Sequence, residues 1–400
     1  MSRSLFADVE LAPRDPIMGL SEAFVQDPRP TKVNLGVGVY LTNEGRIPVL
    51  RAVAEAERRL AAQSLPRGYL PIDGIAVYDK AVQQLLFGTS SAPLSAGRVL
   101  TAQALGGTGG LRIGAELLHR VQPDAIVAIS APTWENHRAV FESAGFKVVT
   151  YPYYDAATHG VDFDAMAAAL RALPAGSISV LHACCHNPTG VDLSPEQWRQ
   201  VVDIVRERQL VPFLDIAYQG FANGIEADGA AIRLFADSGL TFLVASSFSK
   251  NFSLYGERVG ALTIVDQSSD ESARVLSQLK RVIRASYSTP PTHGGMIVTA
   301  VLGDAELRRD WEVELGEMRD RIKAMRAALA AALAKRCPQH DFSFIVRQNG
   351  MFSYSGLGAD QVQRLRDDAG IYALTSGRIC VAALNTANVD YVAEAIAKVL

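Results

Sequence analysis

Apolar and polar positions along the 400-residue chain change period several times, and each change predicts an element. Up to about residue 45, Pro13, Pro16, Pro28 and Pro30 break an extended arm, with a short helix predicted over 18–25 and an alternating strand over 32–40. Gly36 and Gly38 within that strand are either turn glycines or points where a ligand approaches the backbone. From residue 50 the pattern alternates. Helices are predicted over 51–63 and 78–87, then a strand over 99–105 that runs into GGTGG at 106–110 and a further helix. Strands over 125–129, 147–153, 177–185, 211–218 and 241–245 are separated by helices over 134–144, 163–173, 195–208 and 230–238. Strands joined through single helices pair in parallel and are covered on both faces. A strand over 258–265 brings the sheet to seven, and long helical stretches fill 271–335. The remainder is shorter and mixed, with strands over 342–346, 352–355 and 378–383 and helices over 360–369 and 389–400. The pattern predicts an α/β chain with a large, mostly parallel seven-stranded sheet and a smaller α+β unit. The expected divisions are 1–45 for the arm and part of the small unit, 46–312 for the large domain and 313–400 for the small one.

Composition narrows the partners. With 48% hydrophobic and 20% charged residues, a net charge of -3 and no basic stripe, neither nucleic acid nor an anionic membrane surface is expected, and small molecules are. No run of about 18 apolar residues is present to cross a bilayer. The four cysteines, Cys184, Cys185, Cys337 and Cys380, lack the spacing of a zinc site or a disulfide framework, so reduced thiols and no metal are expected. The opening MSRSLFADVELAPRDP has no signal-peptide core, and a cytoplasmic location is the expectation.

Chemistry concentrates at predicted strand ends, where open parallel sheets bind ligands. The stretch TFLVASSFSKNFSLYGER, 241–258, leaves a buried strand for a loop carrying Lys250 among Ser246, Ser247 and Ser249, with Arg258 beyond. A lone lysine there is ordinarily solvated. Hydroxyls and a guanidinium in the same loop can hold a phosphate, and a second cation nearby helps an amine lose its proton and attack a carbonyl. GGTGG opens a helix and is either a tight turn or a phosphate cradle of free amides, though it matches neither nucleotide fingerprint. Trp134 is either core or a stacking surface. Asn187 before Pro188 aims a polar side chain out of a turn, and Asp215 sits in an apolar run where a carboxylate needs a partner: an ion pair, or a cationic heterocycle nitrogen. Together these groups match the needs of pyridoxal 5′-phosphate: phosphate seat, stacking ring, acid for the pyridinium nitrogen, donors to the phenolic oxygen and an attachment lysine.

HNPTG at Asn187, DIAY at Asp215, SSFSKN at Lys250, GERVG at Arg258 and SGRICVAALN at Arg378 resemble the class I aminotransferases, almost end to end, and among them the bacterial aspartate and aromatic amino-acid branch. The resemblance implies the aminotransferase fold, fold type I of the pyridoxal-phosphate enzymes. It implies that Lys250 carries the cofactor and shuttles the substrate proton. Asp215 would face the ring nitrogen, backed by His137, with Trp134 stacked on the ring and Asn187 and Tyr218 on its phenolic oxygen. Gly107, Thr108, Ser247, Ser249 and Arg258 would hold the phosphate, with Tyr69 arriving from the other subunit of a homodimer. Arg378, the Gly38 backbone and Asn187 would grip the substrate α-carboxylate.

Arg284, in RASYSTPP, matches the family arginine that reaches across the dimer to a dicarboxylate side chain. Leu41, Ile47 and Gly68 depart from the polar residues of the aspartate-specific pattern and, with Thr289, resemble the aromatic-accepting branch. The resemblance therefore implies transamination of tyrosine, phenylalanine, tryptophan or aspartate with 2-oxoglutarate, by a ping-pong course. Rival expectations are a narrow aspartate aminotransferase, a lyase or decarboxylase on the same fold, and a cofactor-binding regulatory domain. The pairing of Arg378 with Arg284 favours a substrate that keeps its carboxylate.

Overall fold

The computed structural model describes residues 4–400. Seven strands form the central sheet: β1 (Val99–Leu105), β2 (Ile126–Ala131), β3 (Lys147–Pro152), β4 (Ile178–His182), β5 (Val211–Ile216), β6 (Phe242–Ser247) and β7 (Val259–Val265), in the order β1-β7-β6-β5-β4-β2-β3. The helices between β2 and β6 are long enough to carry the chain back across a face, and those strands pair in parallel. No helix separates β6 from β7, so β7 returns antiparallel and pairs antiparallel with β1 as well.

Residues along each strand alternate between two cores. Phe213, Leu243, Ala245 and Leu262 face one core with Leu111 and Ile113 of the helix Gly106–Val121, while Leu214, Ile216, Val244 and Ala261 face another with Ile297 and Val298. Every residue of β6 and β7 is buried, which is why these segments read as continuous apolar runs. Gly260 allows the closest backbone approach: a Cβ there would lie 2.4 Å from the carbonyl carbon of Gly106, at the head of the helix that follows β1.

Outside this sheet the chain departs from expectation in instructive ways. The strand expected over 32–40 reduces to Val33–Asn34, parallel to Ile371–Tyr372, and so joins the N-terminal segment to the C-terminal part. It stops there because the Gly36 carbonyl accepts from the Arg378 guanidinium rather than from a ladder. Residues 342–346, expected as a strand, form the 3-10 turn Ser343–Arg347, whose amides close on carbonyls of the same turn, Ile345 on Phe342 at 3.1 Å and Gln348 on Ile345 at 3.3 Å, rather than on a neighbouring strand. The strand expected over 378–383 is Arg378–Cys380, antiparallel to Phe352–Tyr354, and continues as a 3-10 turn over Val381–Ala383. The helix expected from residue 134 begins at Asn136 and leaves Trp134 in the preceding loop. The 32-residue helix Ala305–Arg336 runs through residue 312, packing on both Arg51–Gln63 and Val389–Val399. Among the described residues, no helix is long and apolar enough to cross a membrane.

Candidate active site

A cavity of about 300 Å³ opens beyond the carboxyl ends of the parallel strands. Strand β5 delivers Asp215 to it, and the turn after this strand delivers Tyr218. The loop after β6 delivers Ser247, Ser249 and Lys250, and Arg258 stands at the start of β7. Gly107 and Thr108 come from the head of the helix Gly106–Val121, Trp134 from the loop after β2, and Asn187 from the turn beyond β4. Gly38 and Arg378 complete the lining.

Lys250 is the electrostatic centre. Its ammonium lies 5.2 Å from the centroid of the Tyr218 ring. Burial pulls the amine from 10.5 to about 8; Arg258 and Arg378 act in the same direction, while the Asp215 carboxylate opposes them. Burial pushes the Asp215 carboxyl up, but its bond to His137, then the charges of His137, His182 and Lys250, bring it net below the usual range. Asp215 is therefore ionised and can only accept, so the 2.9 Å bond from His137 Nε2 to Oδ2 has the imidazole as donor. The Thr133 hydroxyl, 2.8 Å from His137 Nδ1, fixes the ring from behind. His182 is held neutral, at about 3, chiefly by burial.

At the other end sits an anion seat. Arg258, in left-handed backbone at φ 55°, donates from Nη1 to the Tyr255 carbonyl at 3.1 Å and to Ser249 Oγ at 3.4 Å. A Cβ on Gly106 would lie 2.6 Å from Arg258 Nη2, and one on Gly107 would lie 3.2 Å from the Ser247 Cβ. The glycines thus leave room for a guanidinium, hydroxyls and helix-head amides to share one ligand. On the far wall Arg378 is 1% exposed, with Nη1 on Asn187 Oδ1 at 3.1 Å, Nη2 on the Gly36 carbonyl at 2.6 Å and its guanidinium 4.2 Å from the Phe352 ring centroid. Its Nε is buried with no partner, a donor left for a ligand.

Other expected residues lie outside this cavity. Tyr69 is 95% exposed, and Arg284 is exposed and bonded to Ser288 Oγ. Leu41 is tied through its amide to the Ala382 carbonyl at 3.1 Å, Ile47 is half exposed, and Thr289 follows the tight turn at Tyr287. Conversely, Ile17, Met18, Val37, Tyr255, Phe352 and His182 line the cavity without having been anticipated. Tyr255 had a signal, lying in the same loop as Lys250; Ile17 and Met18 had none. Cys184, Cys185 and Asp228 also lie together, but burial pushes the Cys185 thiol well up and Asp228 is occupied by the amides of Gly220, Ala222 and Asn223.

A buried amine of lowered basicity, an ionised carboxylate facing it and a glycine-hydroxyl-guanidinium seat fit pyridoxal phosphate, and on this fold they define a pyridoxal-phosphate enzyme of the aminotransferase type. The chain belongs to the family described as aminotransferase class I and II, whose sequence model matches residues 30–396. It is 64% identical to an aspartate aminotransferase of Pseudomonas aeruginosa, over 99% of this chain and 100% of that one. It is 52% identical to an aromatic-amino-acid aminotransferase of Escherichia coli, again over 99% and 100%. Among solved structures, an aromatic-amino-acid aminotransferase from Burkholderia pseudomallei covalently bound to pyridoxal phosphate is 66% identical, covers 100% of both chains and superposes with a TM-score of 0.97. The aromatic amino-acid aminotransferase of Psychrobacter sp. B6, co-crystallised with aspartic acid, shares 47% identity over 99% of each chain with a TM-score of 0.97. The chain is an aminotransferase that uses pyridoxal phosphate.

Proposed function

We propose that the protein exchanges the amino group of tyrosine, phenylalanine, tryptophan or aspartate with 2-oxoglutarate, giving the 2-oxo acid and glutamate. The observation that carries this reading is the gathering of Lys250, Asp215, Arg258 and Arg378 around one cavity. Bound pyridoxal phosphate supplies an electron-withdrawing ring that weakens the substrate Cα–H bond. Arg378, with Asn187 and the Gly38 backbone, orients the α-carboxylate through a planar guanidinium whose Nε awaits a partner. The Lys250 amine would carry the proton between the substrate α-carbon and the cofactor C4′ carbon. Asp215, aligned by His137, would keep a proton on the ring nitrogen. Trp134 would stack on the ring, and Tyr218 and Asn187 would bond its phenolic oxygen. Gly107, Thr108, Ser247, Ser249 and Arg258 would hold the phosphate.

Tyr69 and Arg284, both exposed in the single chain, act across the interface of a homodimer in this reading. The apolar side chains of Leu41 and Ile47, with Thr289, favour aromatic substrates beside aspartate, and relatives named for each class support the same breadth. Four buried free thiols accord with a cytoplasmic location. The units 1–45, 46–312 and 313–400 are proposed as the arm with part of the small domain, the large cofactor-binding domain and the small C-terminal domain. Comparison of kcat/KM for phenylalanine and aspartate, with glutamate formed from 2-oxoglutarate as the readout, tests the reading. Comparable values are expected; a phenylalanine-to-aspartate ratio below about one in a thousand returns the protein to the narrow aspartate class.

A further inference from the structure

Arg326 projects from the helix Ala305–Arg336 into the core, where it is 2% exposed. Each of its acceptors is neutral: the Gly350 carbonyl at 2.7 Å, the Ile345 carbonyl at 3.4 Å, the Phe352 carbonyl and Ser353 Oγ. Burial lowers the guanidinium to about 10, so it remains a cation at neutral pH. A buried cation without a carboxylate partner is costly, and it persists only where its hydrogen bonds are extensive. Here all of them but one go to the single segment 350–353.

That segment touches two of the three groups assigned to the substrate carboxylate, Arg378 and Gly38, where an added Cβ would lie 2.6 Å from Phe352 Cζ. Its Phe352 ring lies under the Arg378 guanidinium at 4.2 Å and meets the Tyr218 ring edge-on at 5.8 Å. Tyr354 pairs with Arg378 in the two-stranded ladder, and Phe352 pairs with Cys380. On its other side, a Cβ on Gly190 of the Asn187 turn would meet the Phe352 carbonyl at 2.8 Å, and Asn349 donates its amide to the Gly190 carbonyl at 2.6 Å. The segment is thus a packing partner shared by Arg378 and by the turn that carries Asn187.

We propose that Arg326 is a positioning residue for the substrate carboxylate, fixing segment 350–353 so that Arg378 and Asn187 meet the carboxylate in one geometry. The proposal rests on the reading of Arg378 given above. Substituting R326M keeps the side-chain length without the donors, and R326K keeps the charge without the fork. The holoenzymes are compared for kcat and KM with phenylalanine and aspartate, and for the Ki of 3-phenylpropanoate, which has the carboxylate and ring but no amine. R326M is expected to raise both KM values and the Ki by a common factor of about tenfold or more, with kcat within about threefold and cofactor absorbance unchanged. Partial recovery in R326K adds support. An unchanged Ki in folded R326M overturns the proposal, as does loss of kcat and cofactor in step with Ki, which marks a merely structural residue. Should R326M fail to fold, R326K is combined with R378K: losses smaller together than the product of the two support the coupling, and multiplicative losses overturn it. R378K alone separates the two readings, because an unchanged Ki there removes Arg378 from the carboxylate and the proposal with it.

Discussion

The ionisation of Lys250 can be titrated directly in protein freed of cofactor. Burial, with help from Arg258 and Arg378, brings its amine to about 8 from 10.5. At pH 7 an amine of that basicity is unprotonated about one time in ten, against roughly one in three thousand for an ordinary lysine, so the pool of nucleophile grows roughly 300-fold. Attack on an aldehyde needs the free lone pair. The rate at which added pyridoxal phosphate becomes attached, followed by the shift in its absorbance, is therefore expected to climb about tenfold per pH unit below 8 and then level off. Substituting D215N removes the charge that favours the ammonium form, so the midpoint should move down and the rate at pH 7 should rise. A midpoint near 10, or an upward shift in D215N, would refute the picture of an amine desolvated beside that carboxylate.

Two further outcomes follow from the same geometry. Because the Lys250 amine is less basic folded than unfolded, stability of the cofactor-free protein rises as pH passes from 8 to 10.5, and below 8 the full penalty stands at about 3 kcal/mol. Cofactor-free K250M should thus resist urea better than wild type by up to about 3 kcal/mol at pH 7, the advantage fading near pH 10.5; an equal difference at both values would count against burial as the cause. G106A places a Cβ 2.6 Å from Arg258 Nη2 on backbone at φ 69°, and it should weaken cofactor affinity more than about tenfold and lower Tm, while G303A, whose Cβ meets nothing within 4 Å, changes neither.

The sheet was legible because its strands are buried on both faces, so the apolar runs at β6 and β7 needed no tertiary context to read. The errors fall where tertiary partners override local pattern. Segment 342–346 looks apolar enough for a strand, but no neighbouring strand takes its amides, and Phe344 and Ile345 both turn inward. At Gly36 the backbone carbonyl goes to a guanidinium 342 positions away, which no periodicity could signal. Ile17 and Met18 reach the cavity from an arm whose local sequence marks only a short helix.

The same distinction separates identity from reactivity at the site. Placement at strand ends singled out Lys250 and Asp215, and the family resemblance Arg378, but the basicity of the lysine is a sum over the fold: Asp215 on β5, Arg258 at β7 and Arg378 on a strand of the C-terminal part each change it, and burial changes it most. A substitution at Arg378 therefore acts on two levels, removing a donor from the carboxylate seat and relieving pressure on the Lys250 ammonium. The positioning role of Arg326 belongs to this second kind of information, since nothing in its helical surroundings distinguishes it from the other arginines of Ala305–Arg336 until segment 350–353 is folded around its guanidinium.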